Sequence, residues 1–193
     1  MASYGARGPS PTGRAGVTSG MEPGVQTVIV VMAMGAFLAA AYVDVRRRRI
    51  PNALSYLIGS LGLLRILLAD DPVTAGWTLA AAGGVLVVAF MFFWGGTFGG
   101  GDAKLLTAAV LLIGYHDLFE FIFLMSLFGG VLALAILIGD RLIPRFRRDK
   151  RRAAMRGATA AAARRDVWPT VPYGVAISTA GMIILVLQVS VPR

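Results

Sequence analysis

The chain has 193 residues, of which 56% are hydrophobic and 15% charged, with no cysteine, one histidine and a formal net charge of +9. A soluble domain of this length cannot hide that much apolar surface, and the apolar residues fall in long runs rather than with a helical or strand period. Lipid is therefore the burying medium. The absence of cysteine excludes disulfides, thiolate catalysis and cysteine zinc sites, and His116 alone leaves little scope for a histidine-built metal site. No metal and no cofactor is expected. The basic residues gather in short segments between hydrophobic runs, without interleaved aromatics, which points to anionic headgroups and away from nucleic acid.

Residues 1–24 are rich in Gly, Ser, Pro, Ala and Thr, lack a hydrophobic period and read as a disordered tail. Met21 is an alternative start. Residues 25–193 read as one transmembrane domain with six hydrophobic segments: Val25–Val43, Ala53–Ala69, Val73–Trp94, one from Ala103, Leu118–Gly139 and Pro172–Val191. Most approach the ~20 residues that a helix needs to cross ~30 Å of hydrocarbon. The expected fold is all-α, a polytopic membrane protein of about six transmembrane helices.

Charge sets the expected orientation. Arg46 to Arg49 lie between segments one and two, Lys104 follows segment three, and a basic loop at about 140–171 carries ten more Lys and Arg from Arg141 to Arg165. In a six-pass topology these loops share one side, which the positive-inside bias makes cytoplasmic, with both termini outward. The cell (inner) membrane is the expected location. The Ala- and Arg-rich part of the basic loop suits a short helix lying on the membrane or a solvated linker. Arg65, near the outer end of segment two, is expected to snorkel to the interface.

Two carboxylates interrupt the apolar pattern at the cytoplasmic side. Asp44 ends segment one in Tyr42-Val43-Asp44-Val45-Arg46, and Asp102 follows three glycines in Gly99-Gly100-Gly101-Asp102-Ala103-Lys104. An ionised Asp at membrane depth costs about 2.5–3.5 kcal/mol on insertion scales, so it needs a partner, a watery cavity or a chemical role. Two close carboxylates share a proton. The charged one can take a proton from an attacking water while the other protonates a carbonyl oxygen. The stretch Trp94–Gly101 reads as non-helical and open to close approach by another backbone, such as an extended substrate. Segment four spans only about 18 Å from Ala103 to Gly114 at 1.5 Å per residue, which suits a start below the membrane surface.

Asp44 followed by Ile50-Pro51-Asn52, then Gly-Gly-Gly-Asp-Ala-Lys-Leu-Leu at 99–106, resembles the type IV prepilin peptidases, most closely their short form from Flp/tight-adherence pilus systems. Those enzymes are polytopic GxGD aspartic proteases. The resemblance implies that Asp44 and Asp102 are the catalytic pair, with Gly99, Gly100, Gly101, Lys104, Pro51 and Asn52 in supporting or substrate-binding positions. Val171-Pro172-Tyr173-Gly174 also resembles the family's Pro-x-Gly element. The implied partner is a prepilin whose short basic leader ends in Gly before a hydrophobic helix. Longer members carry a cytoplasmic domain with paired cysteines and N-methylate the trimmed pilin. This chain has no cysteine, so the resemblance implies cleavage and leaves methylation undetermined. The substrate's identity and the oligomeric state are not legible.

Simpler readings compete. Asp44 as a helix-end carboxylate would be neutralised by Arg47 or Arg48, and Asp102 and Asn52 would be helix caps. Lys104 serves equally as a positive-inside anchor. Asp70 and Asp71 form a turn before Pro72, and His116 is a surface residue. A small transporter or channel subunit also uses intramembrane carboxylates, but it calls for internal repeats and mid-bilayer acids, and neither is evident.

Overall fold

A computed structural model describes residues 23–47, 50–69, 71–96, 99–142 and 173–190. Six helices follow one another: α1 (Pro23–Arg47), α2 (Asn52–Leu67), α3 (Pro72–Trp94), α4 (Gly100–Ile113), α5 (Leu118–Leu142) and α6 (Tyr173–Ser190). No strand occurs among the described residues. The all-α, multi-pass reading holds, and each expected segment is a helix within a few residues of its expected bounds. By length and composition α1, α3, α5 and α6 can cross a membrane, whereas α2 is a shorter apolar helix. The tail at 1–22 and the basic loop from 143 to 172 lie outside the described residues, as does Asp70.

Local chemistry sets the breaks. Pro51 is extended (φ −61°, ψ 134°) and starts α2. Asp71 caps α3, with Pro72 at the first helical position, where a missing N–H costs nothing. α4 stops at Gly114, whose φ of 95° lies where a side chain is strained.

α4 is the centre of the bundle. It packs against α2, α3 and α6, while α1 lies against α2 and α6, and α5 against α6. Ala103, Leu105, Leu106, Ala108, Ala109, Val110, Leu112 and Ile113 are all buried, so this 14-residue helix is covered on most sides by protein. α2 and α4 run parallel. Asn52 meets Lys104, a Cβ on Gly59 would lie 3.6 Å from that of Ala108, and one on Gly62 would lie 2.7 Å from the Leu112 nitrogen. Only a glycine permits that last approach. α1 and α6 run antiparallel, with Gly174 beside Asp44 and Gly181 against the Phe37 ring. The C-terminal end of α1 and the N-terminal ends of α2, α4 and α6 therefore meet at one end of the bundle.

Arg65 departs from expectation. Instead of snorkelling it is only 5% exposed, and it donates to the Leu112 carbonyl and to Gln188 Oε1 inside the bundle. The Leu112 carbonyl, which the end of α4 leaves without an intrahelical donor, provides one acceptor and Gln188 on α6 provides the other. His116 is exposed, as expected.

Candidate active site

Asp44 sits in the last turn of α1, 4% exposed, while its neighbours Arg46 and Arg47 face outward. Arg46 lies over the Tyr42 ring, 5.6 Å from its centroid. The first N–H groups of a helix have no intrahelical acceptor and suit an anion. α6 presents such an end to Asp44: the backbone N–H of Val175 donates to Asp44 Oδ2 at 3.2 Å. Gly174 permits the approach, because a Cβ there would fall 2.7 Å from Asp44 Oδ2 and 2.7 Å from Ile50 Cδ1.

Asp102 stands in the first turn of α4, half-buried. Gly99 is the N-cap, extended at φ −76° and ψ 139°. The Asp102 carboxylate turns back to accept the Gly99 N–H, which is one half of a capping box. Asp102 is thus three positions inside the helix rather than its cap, and Gly100 and Gly101 are helical where a break was expected. The turn around them is tight. A Cβ on Gly100 would meet the Phe93 ring at 3.3 Å, and one on Gly101 would meet Ile50 Cβ at 3.4 Å and Ile50 O at 3.5 Å.

Ile50 joins the two halves, since it touches the glycine next to Asp102 and the glycine next to the Asp44 partner Val175. Asp44 and Asp102, 58 residues apart by their numbers, are close enough for their charges to interact. Lys104 Nζ donates to Asn52 Oδ1 at 3.2 Å on the exposed rim. Asn52 is not the α2 cap. The N-cap position is Pro51, which has no side-chain acceptor, and the Asn52 amide is instead engaged with Lys104. The bundle therefore gathers Asp44, Pro51, Asn52, Gly99, Gly100, Gly101, Asp102 and Lys104 at one end.

In the sequence Ile50 and Tyr173-Gly174 stand out as motif residues without an assigned role, and nothing marks Val175. Val171 and Pro172 lie outside the described residues. A glycine opening a helix was the available signal, but nothing in the sequence says which carboxylate that helix end faces. Among the described residues no group of three or more His, Asp or Glu side chains is placed to hold a metal ion. Chemically, two carboxylates whose charges interact can divide acid and base roles around one water.

A multi-pass helical membrane protein with two such carboxylates at one end of its bundle fits a membrane hydrolase. The family model of the type IV leader peptidases matches residues 20–134, more than half of the chain, and the protein belongs to that family of proteases. The match takes in Asp44, Ile50–Asn52 and Gly99–Lys104 and ends before α6, which supplies Val175. No curated protein sequence and no solved structure matches the chain.

Proposed function

We propose that the protein is an aspartic endopeptidase that removes the short basic leader of a prepilin, of the Flp-like type, at the cytoplasmic face of the cell membrane. The observation that carries this reading is the apposition of Asp44 and Asp102, brought from α1 and α4 to one end of the bundle with their charges in mutual reach.

In this reading one carboxylate is charged and its partner protonated. The charged one takes a proton from water, the water oxygen bonds to the scissile carbonyl carbon, and the partner donates its proton to the carbonyl oxygen. Collapse of the tetrahedral intermediate breaks the C–N bond as the first carboxyl gives its proton to the leaving amine and the partner carboxylate takes back a proton from one of the two hydroxyls, which restores the starting pair. Lys104 and Asn52 form the rim over which the leader lies. The glycines at 99–101 keep that rim low enough for an extended peptide backbone. The basic residues Arg46, Arg47 and Lys104 share this end, and the positive-inside bias makes it cytoplasmic, with both termini outward.

The test is cleavage of a prepilin encoded near this gene, in membranes, by the native protein and by Asp44→Asn and Asp102→Asn. Processing by the native protein and by neither variant supports the reading. Processing by either variant overturns the pair.

A further inference from the structure

At the end of α4 away from the carboxylates, a buried polar cluster holds the helix terminus. Arg65 Nη1 on α2 donates to the Leu112 carbonyl at 2.8 Å and to Gln188 Oε1 at 3.0 Å. Gln188 Nε2 on α6 donates to the Ile113 carbonyl at 2.9 Å and to Asp117 Oδ2 at 2.6 Å. The charges of Arg65 and Asp117 also attract one another. Arg65 is 5% and Asp117 7% exposed. Burying a guanidinium and a carboxylate is expensive, and a neutral group suffices for a helix-end carbonyl, as the Gln188 amide does at Ile113. Helix termination alone does not call for so costly a device.

The geometry points to Arg65, with Gln188 and Asp117, as a positioning residue for the cleavage proposed above: it locks α4 against sliding and so sets where Asp102 stands relative to Asp44. This inference rests on that reading of the site. α4 has only 14 residues and is enclosed by protein, so it lacks a lipid-spanning length that would fix its own depth. Sideways contacts must fix it. Asp102 lies ten residues before Leu112, about 15 Å along a stiff helix, so a shift at the clamp is passed to the carboxylate. Gly62, one turn before Arg65, brings the α2 backbone against Leu111 and Leu112 at the same level. The other members of the clamp are also tied to the site. α2 reaches α4 again through Asn52 and Lys104, and α6 carries Gln188 near one end and the Asp44 donor Val175 at the other. Both carboxylates are therefore registered on the same two helices.

The experiment separates positioning from mere folding. Arg65→Met with Asp117→Asn removes both charges together, leaving neither buried alone. A reporter pair, Gly59→Cys with Ala108→Cys, places two Cβ atoms about 3.6 Å apart across α2 and α4, within disulfide range, in a chain with no other cysteine. In membranes, the rate of 59–108 disulfide formation is measured alongside kcat and KM for a prepilin. With the clamp removed, disulfide formation is expected to slow several-fold and kcat to fall by about tenfold or more, with KM within about twofold and helical content unchanged. Closing the disulfide is expected to restore most of kcat, because it re-imposes the register without Arg65. An unchanged cross-linking rate, or a loss of kcat that persists with the disulfide closed, overturns the inference. If the double variant does not accumulate, Gln188→Leu severs the bonds to Ile113 and Asp117 and is put through the same comparison. If the reporter protein with native Arg65 cuts no prepilin, the protease assignment of the pair fails, and the cross-linking rate still decides the clamp.

Discussion

The backbone N–H of Val175 donates to Oδ2 of Asp44 at 3.2 Å, across 131 positions of sequence. This contact fastens a carboxylate at the end of α1 to the first turn of α6, where helix geometry leaves donors unpaired. A buried carboxylate held by a helix N-terminus is oriented as well as solvated. The same contact shows why the last helix matters to a site whose two carboxylates lie on α1 and α4.

Replacing either carboxylate tests the chemistry with little change of shape. Asparagine is isosteric with aspartate and keeps an oxygen acceptor, so the Val175 bond at position 44 and the Gly99 bond at position 102 can both persist. Asp44→Asn and Asp102→Asn are each expected to lower prepilin cleavage by about a thousandfold or more, with the double variant no worse than either single one, because the pair acts as a unit. Immunoblots of membrane-embedded protein should show native levels.

Gly174 and Gly181 make a contrasting pair. A methyl at 174 would press on Asp44 Oδ2 and Ile50 Cδ1 at 2.7 Å, whereas one at 181 would press on the fully buried Phe37 ring at 2.7 Å. Gly174→Ala is expected to cut kcat by about tenfold or more by tilting Asp44. Gly181→Ala is expected to cost about 1–3 kcal/mol of stability through overpacking, with cleavage per folded molecule near native. Thermal melts in detergent and initial rates separate the two.

Along the α2–α4 seam, Gly62 and Gly59 should differ sharply. A Cβ on Gly62 would lie within 2.7–2.9 Å of backbone atoms of Leu111 and Leu112, and backbone inside a packed helix pair cannot swing aside. Gly62→Ala is expected to destabilise by about 1–3 kcal/mol. Gly59→Ala meets only the Ala108 methyl at 3.6 Å, and helix propensity then favours alanine by about 0.8–1.0 kcal/mol. Melting temperatures of the two variants should move in opposite directions.

On the rim, the Lys104–Asn52 bond is exposed and 3.2 Å long, so its loss should cost under about 1 kcal/mol. Lys104→Met and Asn52→Ala are expected to leave folding intact and to raise KM for prepilin, the mark of a contact to the leader. A native KM in both would remove them from the binding rim.

Asp71 belongs to a cap and not to the site. The Thr74 hydroxyl and the Val73 N–H donate to its carboxylate and hold it below the usual range. A carboxyl lowered by folding contributes stability above its unfolded pKa and loses it as pH falls through the folded value. Asp71→Asn is therefore expected to flatten the acid limb of the thermal stability profile while prepilin cleavage at neutral pH stays largely intact.

The sequence by itself determined the class, the six helices and the candidate carboxylates. Lipid burial demands long apolar runs, and a charge left among them near Arg-rich loops stands out against that background. It also supported the family through Asp44, Ile50–Asn52 and Gly99–Lys104, motifs whose spacing survives without coordinates. Sequence chemistry erred where the folded backbone, and not the residue type, chose a side chain's place and partner. Asn52 looked like a cap and instead meets Lys104, Asp102 looked like a cap and sits inside the first turn, and Arg65 looked like an interfacial anchor and is buried. Only the tertiary structure decided these points, together with Ile50 between the two halves of the site and Val175 on Asp44. The physical reason is that a polar group in an apolar bundle goes to whatever unpaired backbone or side-chain atom helix packing sets beside it, and in this protein helix packing depends on glycines whose close approaches have no local signature.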